Sequence, residues 1–132
     1  MNYSADTWFF LELGKKSPKA EKIWKEVTEG KGRLVVSTIV VAETINKFLK
    51  KNVKNPLFDF MLGLRTTEKI HVVDVTRTIA HEAGKLGYTF NMPITDAIIL
   101  STAILTDHDK VLTKDEHFLP AEKQNKIKRV FW

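Results

Sequence analysis

Asn91-Met92-Pro93-Ile94-Thr95-Asp96-Ala97-Ile98-Ile99-Leu100-Ser101-Thr102-Ala103-Ile104-Leu105 carries one charge, Asp96, in the first turn of a helix that is apolar almost all the way round. A helix apolar on every face is buried on every face. Its single carboxylate therefore stands where a buried helix begins. Either Asp96 caps that helix or it holds something positive, and the elements around it decide between the two.

Working outward, Lys110-Val111-Leu112-Thr113 follows the turn Asp107-His108-Asp109 and reads as a strand, with Asp115 just beyond it. Upstream, Ile70 to Val75 is a strand, and Thr76 caps a helix that Gly87 should end. Arg33-Leu34-Val35-Val36 is a continuous apolar run, as a buried parallel strand should be. Ser37 then caps a helix from Thr38 to about Lys51, and Asn55-Pro56 opens another in which Phe58, Phe60, Met61 and Leu62 supply apolar contacts. Near the start, a brief strand ends at Asp6, and Ser17-Pro18 opens a helix that Gly30 stops. Ile127 to Trp132 offers a last strand. Strands alternating with helices imply an α/β fold, a three-layer α/β/α sandwich around a central parallel sheet of four to five strands. With no repeat and no long linker, residues 1–132 read as a single domain.

The composition suits a globular protein: 43% hydrophobic and 28% charged over 132 residues. No cysteine is present, which excludes disulfides, thiolate catalysis and cysteine-ligated zinc. The longest apolar run is too short to span a bilayer, and Asp6 and Glu12 stand where a signal peptide wants a basic start and an apolar core. The expected location is the cytoplasm, with no membrane partner. A net charge of +5 favours polyanionic partners.

In parallel sheets, ligands bind at the carboxyl ends of the strands. Asp6 ends the first strand and Asp115 follows the fourth, while Asp96 starts its helix and Glu43 lies in the second turn of the helix after strand two, helices that begin at the same rim. Thr113 and Ser37, at strand ends, would sit beside them. Two bare charges about 4 Å apart repel by roughly 4 kcal/mol at an effective dielectric of 20. Protons or a cation must relieve such a cluster, and an oxygen-only shell suits magnesium or manganese.

The pattern resembles the PIN-domain ribonucleases, especially the VapC-type toxins of bacterial and archaeal toxin–antitoxin pairs. The resemblance rests on Asp6-Thr7-Trp8, on Ser37-Thr38-Ile39-Val40-Val41-Ala42-Glu43, on Thr95-Asp96-Ala97-Ile98-Ile99-Leu100-Ser101-Thr102-Ala103, and on Val111-Leu112-Thr113-Lys114-Asp115-Glu116-His117-Phe118. It implies a Mg2+- or Mn2+-dependent endoribonuclease in which Asp6, Glu43, Asp96 and Asp115 bind the ion and Thr113 assists. It also implies an RNA substrate, a homodimer, and an antitoxin protein whose C-terminal segment occupies the groove near the metal. One departure stands out: family members often carry Asp-Thr-Asn at the first motif, and here Trp8 takes the third place. That change removes a small polar group but no metal ligand.

Each residue also has a plainer reading. Asp6 can be only an N-cap, and Asp96 can favour the helix dipole while Thr95 caps. Glu43 falls opposite an apolar face of Val41, Ile45, Phe48 and Leu49, in position for an exposed salt bridge to Lys47. Asp115, Asp107 and Asp109 suit turns. His71, His81, His108 and His117 lack zinc-motif spacing and read as structural or surface residues, with His117 near enough to Asp115 to meet a phosphate. Trp8 and Trp24 sit on helical apolar patterns and read as core. Lys47, Lys50, Lys51 and Lys54 form a basic patch, as do Lys123, Lys126, Lys128 and Arg129; each is a solvated face or a contact for the RNA backbone.

Two other function classes compete. A phosphoryl-acceptor regulatory domain also uses a strand-end aspartate, but wants a second acid beside it, which Asp6 lacks. A non-catalytic nucleic-acid-binding module with a decayed site is the other, and the presence of all four acids argues against decay.

Overall fold

The computed structural model describes residues 1–130. Five strands, β1 (Asn2–Ala5), β2 (Arg33–Ser37), β3 (Ile70–Val73), β4 (Lys110–Leu112) and β5 (Lys128–Val130), form one parallel sheet in the order β3-β2-β1-β4-β5. The helices are α1 (Thr7–Gly14), α2 (Pro18–Thr28), α3 (Thr38–Lys50), α4 (Lys54–Thr66), α5 (Arg77–Phe90), α6 (Ile94–Leu105) and the short α7 (Leu119–Lys123). They flank the sheet as the expected α/β/α sandwich. The part of the expected last strand at residues 131–132 lies outside the described residues.

β1 is the centre of the sheet: Ser4 pairs with Val35 of β2 on one side and Val111 of β4 on the other. The chain leaves β1 first toward β2 and β3, and later returns to its other side as β4 and β5. Such a reversal opens a crevice beyond the strands' carboxyl ends. Asp6 is the next residue after β1, so this acid stands at the mouth of that crevice.

The quoted helix, α6, buries Ala97, Ile99, Leu100, Ser101, Thr102 and Ala103 against β1, β2, β4 and its neighbours α3 and α5. Its two buried hydroxyls are satisfied locally. Ser101 Oγ donates to the Ile79 carbonyl at 3.0 Å and Thr102 Oγ1 to the Ile98 carbonyl at 2.8 Å. Across the sheet, Phe10, Phe48 and Phe60 meet edge to face, with Phe10 and Phe60 ring centres 4.7 Å apart, and tie α1 to α3 and α4. At Gly63 a Cβ would stand 3.0 Å from the Trp24 ring, so a larger residue there would make that ring shift.

Several expectations are corrected. α5 runs through Gly87 and ends at Asn91, whose φ of 49° closes the helix in the left-handed region. Thr95 does not cap α6, because the helix already starts at Ile94 after Pro93. The buried face of α3 is Val40, Thr44 and Phe48, and Leu49 is 62% exposed. That rotates Glu43 from the far side of the helix to the flank of the buried stripe. On α4, Phe60 is buried but Phe58, Met61 and Leu62 face outward, so they add nothing to this core. Trp8 is also exposed: Thr7, Phe9, Phe10 and Leu11 take the inward arc of α1, which leaves Trp8 and Glu12 on the opposite face. Trp24 packs against the core as expected.

Candidate metal centre

Asp6 is set by the end of β1 and the start of α1. Its extended backbone makes it the N-cap, and its Oδ1 accepts from the Thr7 amide. The cap and ligand readings are thus compatible, because Oδ2 turns the other way and accepts from Thr113 Oγ1 at 2.7 Å. Asp6 is only 4% exposed. Burial above all, with smaller contributions from the charges of Asp96 and Asp115, pushes its pKa up to about 6 against the two hydrogen bonds.

Thr113, fully buried just past β4, links two of the acids: it donates to Asp6 and accepts from the Asp115 amide at 3.0 Å. Asp115 caps a 3-10 turn (Glu116–Phe118), and its Oδ1 accepts from the His117 amide at 2.8 Å. The turn swings the His117 ring back over the acids. Its Nδ1 lies 2.9 Å from Asp96 Oδ2 and 3.0 Å from Asp115 Oδ1. The hydrogen bond to Asp96 is the main reason the His117 pKa is raised. Asp96, in the first turn of α6, has its own pKa raised, first by burial and then by the charge of Asp115, with Glu43 adding in the same sense.

Glu43 reaches the group from the second turn of α3. Its Oε1 accepts from Thr7 Oγ1 at 3.0 Å. Lys47 is not its salt-bridge partner here; the Lys47 ammonium sits 5.8 Å from the centre of the Trp8 ring instead. The structure therefore brings Asp6, Glu43, Asp96, Asp115 and Thr113 to one rim. Lys50, Lys51 and Lys54 lie exposed at the far end of α3 and the start of α4, and Arg129 pairs with Glu122 at 3.1 Å.

Two residues of the site were given too little weight in the sequence. Thr7 is buried and holds both Asp6, through its amide, and Glu43, through its hydroxyl. Its signal is a hydroxyl residue immediately after the first acid. His117 is not a bystander but the bridge between two carboxylates, a position that requires the capped turn after Asp115.

Ligand atoms of Asp96, Asp115 and His117 lie within 4.8 Å of one another. Asp6 and Asp96, whose ionised forms are disfavoured by burial and by neighbouring acids, fit a divalent cation, which would reverse both effects. The donors are mainly oxygens, as magnesium and manganese prefer.

Comparison with known proteins agrees with this fold. The family model described as PIN domain matches residues 3–123. No curated protein matches the sequence. Among solved structures, the VapBC2 complex of Rickettsia felis, bound to a DNA fragment from its promoter, superposes with a TM-score of 0.77 at 17% identity over 100% of this chain and 99% of that one. VapC20 of Mycobacterium tuberculosis, described as a sarcin-ricin loop cleaving toxin, gives 0.73 at 17% over 90% and 94%. VapBC-1 of nontypeable Haemophilus influenzae gives 0.66 at 23% over 100% and 98%. At these identities the likeness is one of fold, and the family match covers nearly the whole chain. Four acids from separate segments meet at the carboxyl rim of a β3-β2-β1-β4-β5 sheet, and this chain belongs to the PIN domain family.

Proposed function

We propose that the chain is a metal-dependent endoribonuclease, the toxin of a type II toxin–antitoxin pair, with Asp6, Glu43, Asp96 and Asp115 holding Mg2+ or Mn2+. The observation that carries this reading is that acids from the end of β1, from α3, from α6 and from the turn after β4 meet at one rim, where Asp96, Asp115 and His117 offer ligand atoms within 4.8 Å of one another. A divalent ion supplies Lewis acidity at the phosphoryl group and lowers the pKa of an attacking water. The chain's own residues do the rest. Thr7 and Thr113 fix Asp6, Glu43 and the Asp115 backbone in one arrangement. His117, half exposed, is placed to turn from the carboxylates toward a phosphate oxygen of the substrate. Lys47 and Lys50 on α3, with Lys51 and Lys54 at the junction to α4, offer basic contacts for the backbone of the RNA strand.

RNA as substrate rests on the family resemblance and on the neighbour described as cleaving the sarcin-ricin loop. An antitoxin partner is supported by the VapBC complexes among the structural neighbours. For it, an apolar cleft of about 660 Å3 between α1, α2, α3 and α4, lined by Phe10, Leu13, Trp24, Phe48, Pro56 and Phe60, is open. Homodimerisation has candidate contacts in Tyr88 and Ile94, 90% and 59% exposed. Among the described residues no helix is long and apolar enough to cross a membrane, in keeping with a cytoplasmic site of action. A phosphoryl-acceptor role is less favoured, since no second acid adjoins Asp6 at the end of the first strand.

The test is cleavage of a single-stranded RNA by purified protein. Cutting should appear with added Mg2+ or Mn2+ and stop with EDTA. Equal cutting in EDTA would contradict the reading.

A further inference from the structure

Trp8 is the one residue of the first motif that departs from the family's usual pattern, and it is a large aromatic ring with 45% of its surface in solvent. Helix geometry explains why it faces outward but not what it serves. Its surroundings do. Trp8 lines a hollow of about 310 Å3 together with Glu12, Lys114 and Asp115. That is near the lower bound of about 300 Å3 for small-molecule sites. One wall of the hollow is Asp115, an acid of the proposed metal centre, so whatever fills it lies beside the reacting phosphate. The Lys47 ammonium stands over the ring, 5.8 Å from its centre, so a base would use the face away from it, and Lys114 brings a second cation to the hollow.

A flat ring, flanking cations and one carboxylate acceptor are the parts that bind an unpaired nucleotide. The ring offers a face to any base, the cations meet adjacent phosphates, and a carboxylate such as Glu12 accepts from an exocyclic amino group. A base in a duplex is already stacked and cannot use the ring. We propose that Trp8 is a stacking platform for one unpaired base of the substrate, next to the scissile phosphate, and that it restricts the enzyme to single-stranded segments. This inference rests on the nuclease reading above, but not on which divalent ion is held.

The test measures binding of a labelled single-stranded RNA, without cleavage, to an Asp96→Asn protein carrying Trp8, Trp8→Phe or Trp8→Ala. Circular dichroism and melting temperature serve as the check on folding. Loss of one base stack corresponds to about a five- to hundredfold weaker binding. Trp8→Ala should show a loss in that range and Trp8→Phe should keep most of the affinity. The same three proteins should bind alike an RNA in which the bases are replaced by abasic sites. Binding that quenches tryptophan fluorescence in the Trp8 protein should lose that component in Trp8→Phe. Equal affinity of all three proteins for ordinary RNA overturns the proposal. An equal loss on abasic RNA also overturns it, because the defect then lies in backbone contacts such as Lys47. A Trp8 protein that binds the RNA with no change in tryptophan fluorescence relative to Trp8→Phe overturns it as well. If the Trp8 protein binds no RNA at all, the nuclease reading itself fails, a result distinct from the other three.

Discussion

Replacing Asp96 with Asn is expected to lower RNA cleavage roughly 10²- to 10³-fold, the scale on which removing a single charge-stabilising group acts on a transition state. The substitution keeps the shape of the side chain and an oxygen able to accept from His117 Nδ1, at present 2.9 Å away. It takes away a negative charge that burial, Asp115 and Glu43 already disfavour. The helix has no need of that charge to fold, since six residues of α6 are buried in the sandwich. Single-turnover cleavage at saturating RNA should therefore fall while RNA binding and the melting temperature hold. A variant that cuts as fast as the parent would mean that the acid is a helix-end residue and nothing more.

The second large effect concerns stability, and its sign follows from Asp6. In the folded protein this carboxyl has its pKa raised from 3.8 to about 6. Between those values the folded state holds a proton that the unfolded chain has released, so stability falls as pH rises through the window. The stabilisation is fully present below about pH 4 and lost above pH 6. Roughly two pH units correspond to a cost on the order of 3 kcal/mol at neutral pH. His117 works in the same direction, since its raised pKa also contributes stability that disappears as pH rises. In EDTA, the melting temperature should drop between pH 5 and pH 7.5. Asp6→Asn, which still accepts from the Thr7 amide, should remove much of that drop and melt on the order of 10 °C higher at pH 7.5. It should also be inactive. A parent protein whose melting temperature in EDTA is flat or rises across this range would show that the buried carboxyl carries no such strain.

Sites that gain function by assembling like charges give up stability to do so. That trade explains why the acids were legible in the sequence while their supports were not. Asp6 and Asp115 follow strands at their carboxyl ends, which parallel topology sends to one rim, and Asp96 reaches that rim from the first turn of α6, entered from α5. Position along the chain was therefore enough to bring them together. The orientation of side chains within a helix was harder to read. The apolar projection of α3 assumes water on one side only, yet its first turns lie against α1 and α6, and the true buried stripe through Thr44 carries Glu43 into the site. Trp8 was misplaced for the complementary reason, since four neighbours had already filled the inward arc of α1.

Gly87 misled in a different way. Glycine near the end of a helical pattern suggests a stop, but here a Cβ would stand 3.4 Å from Ala97 Cβ and 3.5 Å from the Met92 carbonyl oxygen. Those are ordinary contact distances within a continuous helix, and the stop is Asn91. His117 was hidden because its place depends on a turn of three residues that no periodicity announces.

The claim on which all of this depends is that mutually repelling acids are assembled for a divalent ion. Titration of the metal-free protein with Mn2+ at pH 7.5, followed by calorimetry together with the melting temperature, tests it most directly. Binding to the folded state alone must raise the melting temperature as the site saturates. The account predicts saturable binding, a matching rise in melting temperature, and the loss of both in Asp96→Asn. A titration that never saturates and leaves the melting temperature unmoved would contradict it.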